Sequence, residues 1–267
     1  IGLNWIVEGD YQLRNTALNY ISDEYGTKLY EYNFHNYSFG ISFQGNDNFK
    51  PYVSFGKSSR EPSRTNLLGN YDHLSNNTNY ISNETPDNIA NIKPETVKDI
   101  ELGTKIKSKY LNGSFNVYSM YFTNEIIAGQ LNSMGIPLGS NAQKSNRLGL
   151  EGDLKSNFKK LEIGTSFNIS KNKIWLNDIN SNPALTPNFT SNLFVNYKIG
   201  KFNIGTNYKY VSQSFLDNDN NFTCPEYHLV DGNIGYKFKS GISVNLIVNN
   251  LLNKHWTTGG NLGHDYD

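Results

Sequence analysis

Residues that commonly carry out chemistry are few in this sequence, and their spacing does not suit it. The 5 histidines, His35, His73, His228, His255 and His264, form neither an H-E-x-x-H nor an H-x-x-x-H pattern, so no helix face offers two imidazoles to a metal. A single cysteine, Cys224, excludes an intramolecular disulfide and a cysteine metal cluster. It precedes Pro225 and reads as an incidental loop residue. There is no G-x-S-x-G and no nucleophile constellation, and no carboxylate pair can be placed for glycoside hydrolysis. Asn76-Asn77-Thr78 and Asn83-Glu84-Thr85 fit glycosylation sequons, which arise by chance in so Asn-rich a chain. The expectation is a protein that is not an enzyme, with no catalytic residue, no cofactor and no metal site.

Composition narrows the field further. The 267 residues hold 24 basic and 24 acidic side chains, with no long basic run. A nucleic-acid partner is therefore not expected, since it demands an electrostatic footprint. The longest apolar run is about three residues, as in Trp5-Ile6-Val7, far short of the roughly 20 needed for a transmembrane helix. Mean hydropathy is −0.58. Yet 13% of residues are aromatic, which disordered chains are not. The sequence opens at Ile1 with no basic or apolar leader, as a mature or partial chain would.

The elements that could position any site are strands. Phe189, Ser191, Leu193, Val195, Tyr197 and Ile199 alternate with mostly polar neighbours. Phe202, Ile204, Thr206, Tyr208 and Tyr210 do the same against Asn203, Gly205, Asn207 and Lys209, as do Ile242, Val244, Leu246 and Val248 against Ser243, Asn245 and Asn249. Leu161, Ile163, Thr165, Phe167 and Ile169 oppose Glu162, Gly164, Ser166 and Asn168. Such period-two runs describe strands with one apolar and one polar face. Eleven are expected, at about 2–13, 29–44, 49–58, 97–107, 111–123, 144–156, 160–170, 188–199, 201–213, 227–238 and 242–250. Short turns near 45–48, 108–110, 157–159, 200–201 and 239–241 alternate with long polar connections at 58–95, 123–143, 171–187 and 213–226.

Short turns at one end and long loops at the other are the habit of an up-and-down outer-membrane barrel. The expected fold is all-β: a transmembrane antiparallel barrel, present in part. Closed bacterial barrels have even strand numbers, so an odd count points to missing strands. The chain is expected to be one barrel domain over 1–267, truncated at both ends. A soluble β-sheet carbohydrate-binding or adhesin domain also alternates, and stays open as an alternative.

Several segments together resemble the C-terminal barrel portion of a TonB-dependent outer-membrane receptor, of the kind common in Bacteroidetes. They include Pro51-Tyr52-Val53-Ser54-Phe55-Gly56-Lys57-Ser58-Ser59-Arg60-Glu61-Pro62, a strand that ends in Arg-Glu-Pro before a long loop. Lys93-Pro94-Glu95 through Glu101-Leu102-Gly103 resembles the family's KPE…ELG strand entry, and Arg147-Leu148-Gly149-Leu150-Glu151 its R-x-G-x-E strand. Phe115 through Ile126 and Gly129 through Pro137 are similar to the next strand and loop. Asn249-Asn250-Leu251-Leu252-Asn253-Lys254-His255-Trp256 resembles the NLFNKxY element before the last strand. These matches run in family order from about residue 29. No plug, TonB box or final strand with a terminal aromatic is found.

The resemblance implies a barrel of about 22 strands holding a plug, in the bacterial outer membrane. It implies active import of a scarce large ligand, above all an iron-siderophore complex, with haem or a vitamin as other possibilities. Implied partners are the TonB-ExbB-ExbD complex acting through a plug, outer-membrane lipid or lipopolysaccharide, and a surface lipoprotein. A passive porin-like barrel is the other transport reading. Arg60, Arg64, Tyr71, His73 and Tyr80 in loop 58–95 are the candidate ligand contacts, since cations and rings suit an anionic aromatic chelate; the same residues would equally suit a loop that merely covers a plug. Arg60 and Glu61 are expected to form a loop-anchoring ion pair. By alternation Glu101, Arg147, Glu151 and Asp153 face the lumen, where charge is cheaper than in lipid, pinning wall or plug; direct substrate contact is the other role.

Overall fold

The computed structural model describes residues 4–22, 26–63, 66, 92–131, 137–176 and 178–259. In order, the strands are β1 (Trp5–Ser22), β2 (Gly26–Phe43), β3 (Phe49–Arg60), β4 (Glu95–Lys107), β5 (Leu111–Thr123), β6 (Ile126–Leu131), β7 (Pro137–Asn141) and β8 (Lys144–Phe158). They continue as β9 (Leu161–Leu176), β10 (Ile179–Ser181), β11 (Phe189–Ile199), β12 (Phe202–Val211), β13 (Ser214–Phe215), β14 (Thr223–Cys224), β15 (Tyr227–Lys237) and β16 (Ser243–Val248). A 12-stranded sheet runs β1-β2-β3-β4-β5-β8-β9-β11-β12-β15-β16, with β10 attached to β9. Every strand–strand pairing along this path is antiparallel. The path holds the eleven strands expected from alternation, and among the described residues no pairing joins β1 to β16.

Local chemistry explains the tight end of the sheet. Turns there need backbone that bends sharply, and Lys159, Gly200 and Gly241 take positive φ of 54°, 59° and 88°. At the β2–β3 turn Asn46 Oδ1 accepts the Asn48 amide at 2.8 Å, and at the β4–β5 turn Ser108 Oγ accepts the Leu111 amide at 3.0 Å. These side chains stand in for missing ladder bonds.

The other end differs from expectation in two ways. β1 and β2 are each 18 residues long and stay paired from Trp5↔Phe43 to Ser22↔Gly26, although 14–28 was expected to be a connection. Membrane crossing needs only about 9–11 residues, so this hairpin projects well beyond the bilayer. There Arg14, Asn15 and Asn19 blur the alternation, while pairs such as Thr16↔Tyr32 and Leu18↔Tyr30 keep the ladder going. Short hairpins β6–β7 and β13–β14 and the strand β10 also arise inside connections expected to be polar loops. Runs of two to six residues are too short to show a period.

Directly paired residues share a face, so the register divides the sheet in two. Phe55 meets Ile100, Val53 meets Leu102, Leu102 meets Val117, Val117 meets Leu150 and Leu150 meets Ile169. This face is uncovered: Leu102 is 62% exposed and Leu148 55%. The buried hydrophobic residues, among those described, are Phe34, Ala142, Ile174, Cys224 and Tyr227. A sandwich would press its apolar face against a second sheet; here the apolar face is left for lipid, which removes the soluble alternative.

Candidate ligand-facing rim and polar wall

The face opposite the apolar one carries all the carboxylates of the central strands β4, β8 and β9. Glu101 sits in a cross-strand row with Ser54, Tyr118 and Gly149. Glu151 lies in the row Asn116, Glu151, Asn168, Thr190, and Asp153 in the row Ser114, Asp153, Ser166, Asn192. Arg147 stands between Met120 and Asn172. All four residues expected on the polar wall thus share one face. Glu151 and Asp153 border a concavity of about 410 Å³, which Tyr52, Asn116, Asn168 and Asn192 also line.

This wall is internally bonded. Asn168 Nδ2 donates to Glu151 Oε1 at 2.8 Å and to the Tyr118 hydroxyl at 3.2 Å. The Tyr118 ring lies where a Cβ on Gly149 would sit, and Tyr52 does the same at its partner Gly103. Glycine at those two positions lets a ring lie flat on the neighbouring strand.

Arg147 works at the outer rim. Its guanidinium donates to Glu125 through Nη2 at 2.6 Å and Nη1 at 3.3 Å, and to Ser145 Oγ at 3.1 Å. Ser145 also donates to Glu125, and the guanidinium rests 4.6 Å from the Phe122 ring centre. The two side chains are only 18% and 12% exposed. Glu125 directly precedes β6, so the cluster fixes the root of the β6–β7 hairpin.

Arg60 closes β3 and has a partner that sequence reasoning missed. It does not pair with Glu61. Adjacent residues of an extended chain point to opposite faces, and register places Arg60 opposite Glu95. Arg60 Nε lies 3.0 Å from Glu95 Oε1, and Nη2 donates to Oε2 at 3.2 Å. Glu95 Oε2 also accepts the Ile126 amide at 2.8 Å. Glu61 instead takes Arg14 as its partner. Asn141 adds another clasp: its Oδ1 accepts the Lys93 amide at 2.6 Å, and its Nδ2 donates to the Lys93 carbonyl at 3.0 Å and the Asn124 carbonyl at 2.8 Å. Only the Lys-Pro-Glu spelling around Glu95 hinted at this, because a long connection hides the β3–β4 register.

Arg14, Tyr32, Arg60, Glu61, Asn66 and Ile126 are among the residues around a second concavity of about 400 Å³ at the rim. It combines two guanidinium groups with an aromatic ring. Arg64, Tyr71, His73 and Tyr80, the other expected ligand contacts, lie outside the described residues. Among the described residues no group of three or more His, Cys, Asp or Glu could hold a metal ion.

A broad antiparallel sheet with short turns at one end, a lipid-ready face and a hydrogen-bonded polar face is the wall of a transmembrane β-barrel. The chain belongs to the family described as TonB dependent receptor-like, beta-barrel, whose model matches residues 7–251. Barrels of this family reside in the outer membrane of Gram-negative bacteria. No curated protein matches. Among solved structures, the copper transporter OprC is similar with a TM-score of 0.77 and 14% identity, over 96% of this chain and 41% of its own. The siderophore receptor PiuA from Acinetobacter baumannii aligns with a TM-score of 0.70 and 19% identity, over 96% and 38%. The ferric citrate transporter FecA aligns with 0.75 and 17%, over 95% and 39%. This chain therefore spans about two fifths of the length of these proteins.

Proposed function

We propose that this barrel wall belongs to an outer-membrane active-transport receptor of the Bacteroidetes type, importing a scarce large ligand with energy from the TonB-ExbB-ExbD complex. The ligand class that best fits is an iron-siderophore complex. The observation that carries this reading is the rim concavity, where Arg14 and Arg60 stand beside Tyr32 in a chain of TonB-dependent receptor family. The guanidinium groups of Arg14 and Arg60, held in place by Glu61 and Glu95, and the Tyr32 ring offer donors and a stacking face to a chelate with aromatic arms. Siderophore and ferric citrate proteins among the similar structures support the same class.

In this reading the chain is one barrel domain forming about half the wall of a larger barrel. A plug carried elsewhere in the full-length protein fills the lumen and contacts the energy-coupling complex. Glu101, Glu151 and Asp153 face that plug and hydrogen-bond to it, while Arg147 holds the rim in shape. Arg60, with Arg64, Tyr71, His73 and Tyr80 of the following loop, meets the ligand from outside. Outer-membrane lipid surrounds the wall, and a surface lipoprotein caps the loops.

The test is growth of a deletion strain under iron limitation on a panel of siderophores. Growth lost on one siderophore and restored by the full-length gene supports the assignment. Unaffected growth on every iron source removes the iron assignment. Uptake that persists after the proton-motive force is collapsed would replace active transport with a passive pore.

A further inference from the structure

The 24 positive and 24 negative charges of the chain are not spread evenly. The five short turns, at 44–48, 108–110, 159–160, 200–201 and 238–242, with the four residues on either side of each, hold eleven lysines. The carboxylates in those stretches are two, Asp47 and Glu162. The rest of the chain is correspondingly acidic, so net neutrality conceals one strongly basic end. Lys50 lies 3.3 Å from Asp47, and Lys155 pairs with Glu162. Among the described residues, no carboxylate is within ion-pair distance of the other nine lysines.

Alternation and register divide these lysines into two sets. Lys50, Lys105, Lys107, Lys155, Lys198 and Lys237 lie on the polar face. Lys105 and Lys107 follow Glu101 at even spacing on β4, Lys155 follows Asp153 on β8, and Lys50 stands directly opposite Lys105. Lys198 is opposite Asn203, itself opposite Gly235, two residues before Lys237. The other five, Lys109, Lys159, Lys160, Lys201 and Lys239, occupy the turns themselves and are exposed. The apolar face at this end carries no cation: Phe49 meets Ile106, Phe158 meets Leu161 and Phe202 meets Tyr236. Such rings mark the boundary of the apolar band. Lys159 rests 5.7 Å from the Phe158 ring centre and Lys201 6.0 Å from that of Tyr236, so the turn lysines stand at the water side of that boundary.

The two sets together select the partner. Phospholipid headgroups outside the barrel reach the turn lysines but not the inward ones. A plug within the lumen reaches the inward lysines but not the turn tips. A polyanion lying across the inner mouth of the barrel reaches both. The lysines run from β3 to β15, eight adjacent strands of the sheet. Strands about 4.8 Å apart and tilted by about 40° spread these over an arc of about 45 Å. A cation every few ångströms along such an arc suits a polymer of repeating negative charge rather than one compact ligand. The repulsion of Lys105 by Lys50 directly opposite adds to the demand for an anion there.

We propose that the short-turn end is a lysine collar that docks the barrel on the cell-wall polymer beneath the outer membrane, a glycan whose peptide stems carry free carboxylates. Short turns of such barrels face the periplasm, where that polymer lies. The turn lysines meet stems that run past the barrel, and the inward lysines meet stems that cross its mouth. Attachment of this kind anchors the receptor laterally without any apolar contact. It rests on the outer-membrane placement of the barrel and not on the imported ligand, so the growth test above and the binding test here fail independently.

The full-length receptor, purified in zwitterionic detergent, is pelleted with isolated cell-wall sacculi, native or with their carboxylates capped as amides. Binding to native sacculi is expected to weaken as salt is raised and to fall away on the capped ones. An exposed ion pair contributes about two- to threefold in affinity. Lys109→Gln/Lys159→Gln/Lys160→Gln/Lys201→Gln is therefore expected to bind native sacculi about 30-fold more weakly, and the four matching Arg substitutions to keep the affinity. Heat-modifiable gel mobility confirms that each variant is folded, and Lys105→Gln/Lys107→Gln/Lys198→Gln supplies an independent set from the inward face, with an expected loss of about tenfold. Unchanged pelleting of either folded Gln set overturns the collar, as does equal pelleting with capped sacculi. Native mass spectrometry counts phosphatidylglycerol retained by the same variants. Loss of that lipid with sacculus binding intact would hand the lysines to the inner leaflet and overturn the cell-wall assignment.

Discussion

At the residue scale, the rim shows why ion pairs that look alike differ in worth. The Arg60 side chain is 62% exposed and that of Glu95 10%. Removing the arginine gives up a mostly solvated pair, worth about 0–1 kcal/mol. Removing the carboxylate also leaves the Ile126 amide without its acceptor, at about 1–3 kcal/mol. Glu95→Ala is therefore expected to lower thermal stability of the full-length receptor more than Arg60→Ala, as read by loss of heat-modifiable mobility. Equal losses would mean that Glu95 acts only through Arg60. The sequence displayed both residues but not their union. It made Arg60 and Glu61 look like a pair because they are neighbours in the chain, whereas alternation sends neighbours to opposite faces.

At the element scale, the sheet is joined by rings lying over glycines. Tyr118 covers Gly149 across the β5–β8 pairing and Tyr52 covers Gly103 across β3–β4. A branched side chain at either glycine must displace the ring, and overpacking of this kind costs about 1–3 kcal/mol. Gly149→Val is expected to destabilise the barrel by that amount, and Tyr118→Ala to suppress most of the loss in a double-mutant cycle. Additive losses would separate the two positions. The eleven long strands were legible because each maintains its alternation for about ten residues or more in most cases. The ends of β1, β2 and β9 were not, because beyond the bilayer one face no longer needs to be apolar and the period fades while pairing persists.

At the scale of the whole molecule, the division into two faces is the main determinant. Leu102 and Ser54 are close in space on adjacent strands, β4 and β3, but on opposite faces. Leu102→Arg is expected to cost about 2–4 kcal/mol if it lies at the bilayer midplane, and Ser54→Arg, next to Glu101, far less. Folding yield into liposomes measures the difference, and equal yields would contradict lipid contact on the Leu102 face. By itself the sequence determined the eleven strands along the main sheet, the two faces, the side that bears short turns, and the family to which the chain belongs. These follow from local rules: a period of two, a glycine or asparagine where a turn needs one, and motifs contiguous in the chain. Only the tertiary structure decided that Arg60 meets Glu95, that Arg147 holds the β6–β7 root through Glu125, and that Lys50 stands against Lys105. Each depends on the register between strands separated by a long connection, and register is set by the sum of many cross-strand pairings, which no single stretch of sequence contains.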